Sequence, residues 1–344
     1  MANEFRKDLV SGDWVLVSSS RANRPGAPEM KKTFLDSHQP IETCPFEDPV
    51  ASNGQPLLVY NQGHPVHWEG DFKGPWTTMV VPNKYPALTR GICGLPMQVG
   101  PFFIQVTHGF HELVITREHD THFALFSDLD TVEVLRVYQD RYRAISHDEC
   151  GDYISMFHNH GREAGASIWH NHSQILSTPI IPPEVVRSLQ GADEYFQQHR
   201  ATVHCALIHW EREQKIRIVY ENERFIVFCP FVSKTPFEMR LFPKEHNARF
   251  EMMVIEDLIY CAQALNAGLR ALYRALGDAP YNFYIHTAPV EHDPLIHYDY
   301  YHWHIEIVPK VKIDAGFELG TGLSVNPIDP DDGAAKLRDA LAHP

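Results

Sequence analysis

Residues 157–174 read FHNHGREAGASIWHNHSQ. The small-residue run 161–167 predicts a loop between two strands. Because side chains alternate between the two faces of a strand, His170, His172 and Gln174 are expected to point the same way. Three polar groups on one face, beside a loop that lets the backbone approach closely, are typical of a phosphate pocket.

Histidine chemistry suggests what such a pocket does. A neutral imidazole can attack phosphorus, and the phosphoimidazolium that forms is a good donor, so one difficult transfer becomes two easier steps. The alternative is a polar edge strand whose histidines face water. The loop before the His-x-His pair and Gln174 after it favour the phosphate pocket.

The order of predicted elements occurs twice along the chain, which favours a duplicated module over two unrelated α+β segments. In the first half the predicted elements are strands 76–81 and 111–116, a helix over 128–145, and strands 153–158 and 168–177. In the second half they are strands 225–228 and 239–242, a helix over 258–272, and strands 281–286 and 301–308. Each half closes on a His-x-His pair, His170/His172 and His302/His304. We therefore predict an α+β fold of antiparallel sheets with packed helices.

Length and composition limit the classes of protein to be considered. A chain of 344 residues predicts about two domains, or one domain built twice, and we place them at 1–190 and 191–344. The formal charge of −14 argues against nucleic-acid binding. No apolar run approaches a membrane span and the N-terminus lacks a signal core, so we predict a cytoplasmic protein without a membrane partner. The six scattered cysteines are interpreted as reduced thiols or metal ligands.

The segment 157–174 closely resembles the active-site stretch of galactose-1-phosphate uridylyltransferases, a branch of the histidine-triad superfamily. The family pattern is Phe-x-Asn, Gly, Gly-x-Ser and His-Pro-His-x-Gln. This sequence supplies Phe157, Asn159, Gly161, Gly165, Ser167, His170, His172 and Gln174, with Asn171 in place of the usual proline. The fold that the resemblance implies is a duplicated histidine-triad-like module.

The resemblance also implies roles for these residues. His172 is the nucleophile that becomes nucleotidylated, and His170 orients the site. Gln174 and Ser167, in the loop with Gly165, bind phosphates, while Asn159 holds the nucleotide. The implied reaction moves a nucleoside monophosphate between a nucleotide sugar and a hexose 1-phosphate, with UDP-glucose and galactose 1-phosphate as the default pair.

Two alternatives to this reaction stay open. One is an ADP-glucose phosphorylase that passes AMP to inorganic phosphate, because Lys84 stands where many uridylyltransferases have aspartate. The other is a non-catalytic relative that binds nucleotide sugars.

Three further segments resemble parts of the same family. Arg21 and Arg24 match arginines that serve the phosphate-bearing substrates, and Asn83 lies in a segment that flanks the nucleoside. Phe317 and Glu318 stand at the sugar-binding positions of a C-terminal loop. Homodimers are common in the family, so a homodimer is a further expectation.

The resemblance implies two metal sites. The ligands of the first, for zinc, are Cys44, Glu47, His119 and His170, with glutamate replacing the family's second cysteine, which is an acceptable zinc ligand. The alternative is that Cys44 is a buried thiol and no metal binds. For a second metal, zinc or iron, the sequence offers two sets: His286, His302 and His304, where Ser188 occupies the position of an expected glutamate, or Cys205, His209, His246 and His302. The isolated histidines His108, His111 and His122 are expected at the surface.

Overall fold

The computed structural model describes residues 3–20, 38–91, 94–148, 150–293 and 295–343. The strands are β1 (Glu4–Lys7), β2 (Trp14–Val17), β3 (Leu58–Asn61), β4 (His64–Pro65), β5 (Thr78–Pro82), β6 (Met97–Val99), β7 (Phe102–Ile104), β8 (Phe110–Thr116), β9 (Tyr153–His160), β10 (His172–Thr178), β11 (Ile218–Glu221), β12 (Phe225–Phe228), β13 (Met239–Pro243), β14 (Tyr281–His286), β15 (His304–Pro309) and β16 (Ser324–Asn326). The helices are α1 (Pro49–Asn53), α2 (Asp128–Ile145), α3 (Pro183–His199), α4 (Val203–Gln214), α5 (Ile255–Leu276), α6 (Gly316–Thr321) and α7 (Pro330–Ala342).

One large antiparallel sheet spans both halves of the chain. Its strand order is β11-β12-β13-β15-β14-β9-β10-β8-β5-β3-β4. Outward from the central β14–β9 pair, one side reads β14, β15, β13, β12 and the other β9, β10, β8, β5. Helix α2 connects β8 to β9, and α5 connects β13 to β14. The same connections therefore occur in both halves, which confirms the predicted α+β fold with antiparallel strands.

Helix α2 runs from Asp128 to Ile145, close to the sequence prediction, in which Asp128 is the N-cap and the helix ends at about Ile145. Its N-cap is Ser127 rather than Asp128, because the Ser127 hydroxyl accepts from the backbone N–H of Asp130 while the Asp130 carboxylate accepts from that of Ser127. This reciprocal capping box satisfies two of the amide groups that a helix start leaves unpaired. The cap fixes where α2 starts and therefore which side chains reach the sheet.

Helices α2 and α5 pack against one face of the sheet. Leu135 of α2 and Leu269 of α5 belong to the same buried cluster as Ile175 of β10 and Phe283 of β14, and each such leucine contributes about 1.5–3 kcal/mol by leaving water. Side chains alternate along β10. Since Ile175 faces the helices, His172 and Gln174 face the opposite side, where the phosphate pocket was predicted.

The last strand of the first half is shorter than predicted. Residues 168–177 were expected as a strand, but β10 begins only at His172. His170 precedes the strand, so the alternation rule does not apply to it, and its predicted orientation with His172 and Gln174 stays a prediction. Its fully buried imidazole donates from Nε2 to the backbone carbonyl of Thr116 at 2.6 Å.

Two other sequence predictions concern the whole chain. The proposed boundary between residues 190 and 191 falls within α3 and stays a prediction.

Of the cysteines within the described ranges, Cys44, Cys205, Cys229 and Cys261 are free. Cys150 is disulfide-bonded, so the expectation of reduced thiols or metal ligands fails there. None of the helices described above combines the length and hydropathy needed to cross a membrane.

Candidate active site

A cavity of about 470 Å³ lies at the start of β10, on the face of that strand opposite α2 and α5. Its lining includes Phe46, Asn83, Ser167, His172 and Gln174. The structure therefore brings the predicted nucleophile together with two predicted phosphate ligands and a residue of the nucleoside segment. The size suits part of a nucleotide sugar, since ligand pockets commonly measure about 300–1,000 Å³.

His172 is held so that one of its nitrogens is available. Its Nδ1 lies 2.9 Å from the backbone carbonyl of His170. Because a carbonyl only accepts, Nδ1 carries the proton and Nε2 carries the lone pair. Burial lowers the pKa of His172, which keeps the imidazole neutral. The Phe46 ring packs edge-on with its centroid 5.0 Å away and restricts ring rotation.

Gln174 is oriented by a residue that the sequence interpretation assigned to the surface. The backbone N–H of Ala87 donates to Nδ1 of His111 at 3.0 Å. The proton of the neutral ring therefore sits on Nε2, which donates to Oε1 of Gln174 at 2.8 Å. The side-chain nitrogen of Asn83 lies 3.0 Å from the same ring nitrogen and, being a donor itself, makes no hydrogen bond to this N–H. With its oxygen occupied, Gln174 has its NH₂ group free to donate to an anion.

The loop before β10 depends on two glycines. Gly161 has a φ of 80° and Gly165 a φ of 91°, values that side chains disfavour. Asn282 of β14 supports the loop by donating to the Ala164 carbonyl and to Oδ1 of Asn159, both at 2.8 Å. Asn159 thus connects the loop to the second half of the sheet, and its predicted contact with the nucleotide stays a prediction.

The first predicted metal set is brought together. One ligand atom from each of Cys44, Glu47, His119 and His170 lies within 4.8 Å of all the others. Nδ1 of His170 is 3.4 Å from the Cys44 sulfur and 3.3 Å from Glu47 Oε1, which is 3.1 Å from Nδ1 of His119. These spacings match the edges of a zinc tetrahedron, about 3.3 Å for ligands at about 2.0–2.3 Å from the metal.

Hydrogen bonds set the protonation of this cluster. Nε2 of His119 donates to the Gln39 carbonyl at 2.8 Å, and Nε2 of His170 donates to a carbonyl as described above. Both histidines therefore direct the lone pair of Nδ1 toward the centre of the cluster. Histidines that bind metals commonly donate their other ring N–H to a backbone carbonyl in this way. Arg117 bonds the outer oxygen of Glu47 at 2.8 Å and, against the effect of partial burial, lowers its pKa. The donor set fits zinc.

Of the two sets offered for a second metal, the structure favours the one with cysteine. The Cys205 sulfur lies 3.6 Å from Nδ1 of both His246 and His302. Although burial opposes it, hydrogen bonds from these imidazoles lower the pKa of Cys205 to about 5. His209, the fourth member of that set, is instead exposed and paired with Glu213.

The set of His286, His302 and His304 is not supported as a unit. His302 directs Nδ1 toward Cys205, whereas Nε2 of His286 lies 3.1 Å from Glu306. His286 and His304 line a separate cavity of about 380 Å³, together with Ser188. The direction of the His302 ring therefore favours the set with Cys205 over the set with His286 and His304. The sequence position of His302 does not reveal this direction.

Two of the other predicted substrate residues, Phe317 and Glu318, lie on α6. Arg21 and Arg24 fall outside the described residues. Phe317 is half-exposed on α6, and the Glu318 carboxylate on the same helix accepts from the Ala315 backbone. Neither lines the cavity beside His172, so their contact with a sugar stays a prediction.

The sequence interpretation also misplaced two other histidines. His108 is buried and contacts Asp148 at 3.1 Å, and His122 is buried beside His160. Their partners lie 38 to 40 positions away in the chain, and a single sequence carries no local signal for such pairs.

Comparison with known proteins covers most of the chain. The sequence model for the galactose-1-phosphate uridyl transferase N-terminal domain matches residues 1–182, and that for the C-terminal domain matches residues 188–325. The ADP-glucose phosphorylase of Arabidopsis thaliana is 33% identical over 98% of this chain and 92% of its own length. The galactose-1-phosphate uridylyltransferase of Thermotoga maritima is 27% identical over 98% of each chain. The crystal structure of the Arabidopsis ADP-glucose phosphorylase with bound ADP-glucose superposes with a TM-score of 0.80, at 29% identity over 98% of this chain and 99% of that chain.

Proposed function

Because the chain belongs to the galactose-1-phosphate uridylyltransferase family of nucleotidyltransferases, we propose that His172 carries a nucleoside monophosphate from a nucleotide sugar to a phosphate-bearing acceptor. One observation carries this proposal. The imidazole is neutral and fixed through Nδ1 to the His170 carbonyl, and it borders a cavity that Gln174 and Ser167 also line. A nucleophile needs this combination of a free lone pair and a nearby anion site.

The reaction runs in two displacements. In the first, the Nε2 lone pair of His172 attacks the α-phosphorus, the bond from phosphorus to the bridging oxygen breaks, and the sugar 1-phosphate leaves with that electron pair. The imidazole becomes cationic, and the His170 carbonyl stabilises it by accepting from Nδ1–H. In the second, an acceptor phosphate oxygen attacks the same phosphorus, the N–P bond breaks, and its electrons return to Nε2. This sequence gives ping-pong kinetics.

The residues around the cavity act on the charge of the phosphoryl group. The free NH₂ of Gln174 and the Ser167 hydroxyl are donors placed to stabilise the oxygens of the group in transfer. Donors of this kind, fixed before the reaction, commonly contribute about 3–4 kcal/mol each to lowering a barrier. The hydrogen bond from His111 holds the Gln174 side chain in place.

Two donor and acceptor pairs are candidates. ADP-glucose with inorganic phosphate is favoured by the 33% identity to an ADP-glucose phosphorylase and by Lys84, which lines the cavity where many uridylyltransferases have aspartate. UDP-glucose with a hexose 1-phosphate is the second candidate, supported by the similarity to uridylyltransferases. We further propose a cytoplasmic homodimer.

Zinc is proposed at Cys44, Glu47, His119 and His170. Its chemistry there is structural: it would hold the four side chains together and neutralise the Cys44 thiolate and the Glu47 carboxylate. Since His170 also supplies the carbonyl that orients His172, the metal ligands and the nucleophile share one segment of backbone. A second zinc is proposed at Cys205, His246 and His302.

The test is intact-mass analysis of the protein mixed with ADP-glucose or with UDP-glucose, without an acceptor. We expect a covalent adduct of AMP or of UMP, and the mass identifies the donor. Folded His172→Gln protein should give no adduct. Adding inorganic phosphate or galactose 1-phosphate should then discharge the adduct and identify the acceptor. An unmodified wild-type mass with both donors, or an adduct that persists in His172→Gln, would overturn the assignment of the nucleophile.

A further inference from the structure

A second group of histidines lies next to the phosphate loop and takes no part in the steps above. It consists of His122, between β8 and α2, His160, the last residue of β9, and Asp278, between α5 and β14. One ligand atom from each lies within 4.8 Å of the other two. His122 and His160 are buried, while the Asp278 side chain is 42% exposed. The group is therefore formed by three separate segments and opens to solvent through Asp278.

The hydrogen bonds of this group are incomplete. Nε2 of His160 lies 2.7 Å from Oδ1 of Asp278, a normal hydrogen bond. Nε2 of His122 lies 3.6 Å from the same oxygen, which is too long for one. Nδ1 of His122 is also without a hydrogen-bond partner among the described residues, although the residue is only 5% exposed. A buried imidazole nitrogen without a partner is unfavourable, and Nε2 makes no hydrogen bond within the described residues that a ligand would have to displace.

We propose that His122, His160 and Asp278 bind a divalent metal ion with the preferences of Zn²⁺. Two imidazoles and a carboxylate are ligands that zinc accepts, and a three-residue set leaves a fourth position for water. The 3.6 Å spacing between Nε2 of His122 and Oδ1 of Asp278 is close to an edge of a zinc tetrahedron.

The three residues lie where a bound ion would affect the phosphate loop. His160 directly precedes Gly161, where the phosphate loop begins, and its ring packs 5.9 Å from that of Trp169 at the other end of the loop. Its neighbour on the same face of β9, His158, bonds the His172 carbonyl through Nδ1 at 2.9 Å. An ion joining His160 to Asp278 would therefore connect the start of the loop to the second half of the sheet.

Cobalt binding distinguishes this site from the other two. Both other candidate sites contain a cysteine, Cys44 or Cys205, and a cysteine bound to Co²⁺ gives a thiolate-to-cobalt charge-transfer band. The proposed site contains no sulfur. We expect chelator-treated Asp278→Asn and His160→Gln proteins to bind one Co²⁺ fewer than the wild type, with the charge-transfer band per protein unchanged. His67→Gln, which removes an exposed histidine outside every cluster named here, should bind as many ions as the wild type.

Two results would overturn the proposal. One is an Asp278→Asn protein that binds as much Co²⁺ as the wild type, which would leave the group as a hydrogen-bonded pair beside a buried imidazole. The other is a lost equivalent accompanied by a weaker charge-transfer band, which would place the loss at a cysteine site. Asp278→Asn keeps the size of a half-exposed side chain, so it decides the question if His160→Gln does not fold. Neither readout depends on nucleotidyl transfer.

Discussion

Nε2 of His111 donates to Oε1 of Gln174 at 2.8 Å, and the two residues lie 63 positions apart on the adjacent strands β8 and β10. The orientation of a glutamine amide is set by such bonds, because its two ends are nearly equal in size and differ only in whether they donate or accept. His111 is itself fixed by the Ala87 backbone. Gln174 is therefore oriented through His111 by the backbone of Ala87, which does not line the cavity.

Replacing His111 should lower the rate of nucleotidyl transfer more than it weakens substrate binding. In His111→Ala the Gln174 amide can turn, so part of the contribution of one oriented donor is lost, and we expect kcat to fall about 10- to 100-fold. KM should change little, because the cavity wall keeps its other residues. His111→Gln offers a donor at a similar position and should recover part of the rate.

A double-mutant cycle separates positioning from a general structural effect. If His111 acts through Gln174, adding His111→Ala to Gln174→Ala should cost little beyond the single change. If the reduction in kcat of the double variant equals the product of the two single reductions, His111 acts independently of Gln174, and the positioning role is wrong.

Gly161→Ala should destabilise the fold more than Gly277→Ala does. Both glycines have a φ near 80° with extended ψ, a region that costs a side chain about 1–3 kcal/mol. A Cβ on Gly161 would also meet Cβ of Pro280 at 2.8 Å, whereas one on Gly277 would have no atom within 4 Å. Urea unfolding should therefore show an additional loss of about 1–3 kcal/mol for Gly161→Ala, the usual cost of overpacking. Equal losses would mean that the loop moves away from Pro280.

Cys44→Ser should remove one zinc and lower activity. Cys44 supplies one of the four ligands of the proposed zinc site, and without that ion the four side chains would no longer be held together. Elemental analysis should show one equivalent less metal, and the rate should fall because the His170 carbonyl orients His172. Cys261→Ser is the matched control, since it also places a hydroxyl at a buried free thiol but outside any candidate metal set. Equal metal contents in the two variants would count against the zinc site.

The fold followed from sequence because its signals are local. The ends of β14 were predicted to the residue and those of α2 to within about one residue, since a short β-rich run in one and helical spacing in the other suffice. The start of β10 was not predicted: His170 lies before the strand, and its ring bonds the carbonyl of Thr116, 54 positions earlier.

The site was predicted less completely, because part of it depends on contacts between residues that are far apart in the chain. His172, Gln174 and Ser167 lie in one stretch of 8 residues and were found together. His111 was assigned to the surface because its partner is on another strand. The direction of the His302 ring, which decides between two metal sets, depends on Cys205 from α4. Contacts between distant segments are not encoded in any local pattern.

The duplication itself supplies the strictest comparison for the nucleophile. His304 begins β15 as His172 begins β10, and its Nδ1 lies 3.1 Å from the His302 carbonyl, as that of His172 lies 2.9 Å from the His170 carbonyl. The two imidazoles differ in what stands two residues later. Gln174 offers an amide donor, whereas Glu306 is a partly buried carboxylate paired with Arg240 and His286.

We therefore expect only His172 to form the covalent adduct. A carboxylate beside His304 repels the α-phosphate that Gln174 would bind, so the similar imidazole has no anion to attack. Peptide mapping of the adduct should place the nucleotide on the peptide that contains His172, and folded His304→Gln protein should still be labelled by the donor that labels the wild type. A nucleotide found on His304 would show that the orientation of the imidazole suffices, and that the donor groups around Gln174 do not select the site.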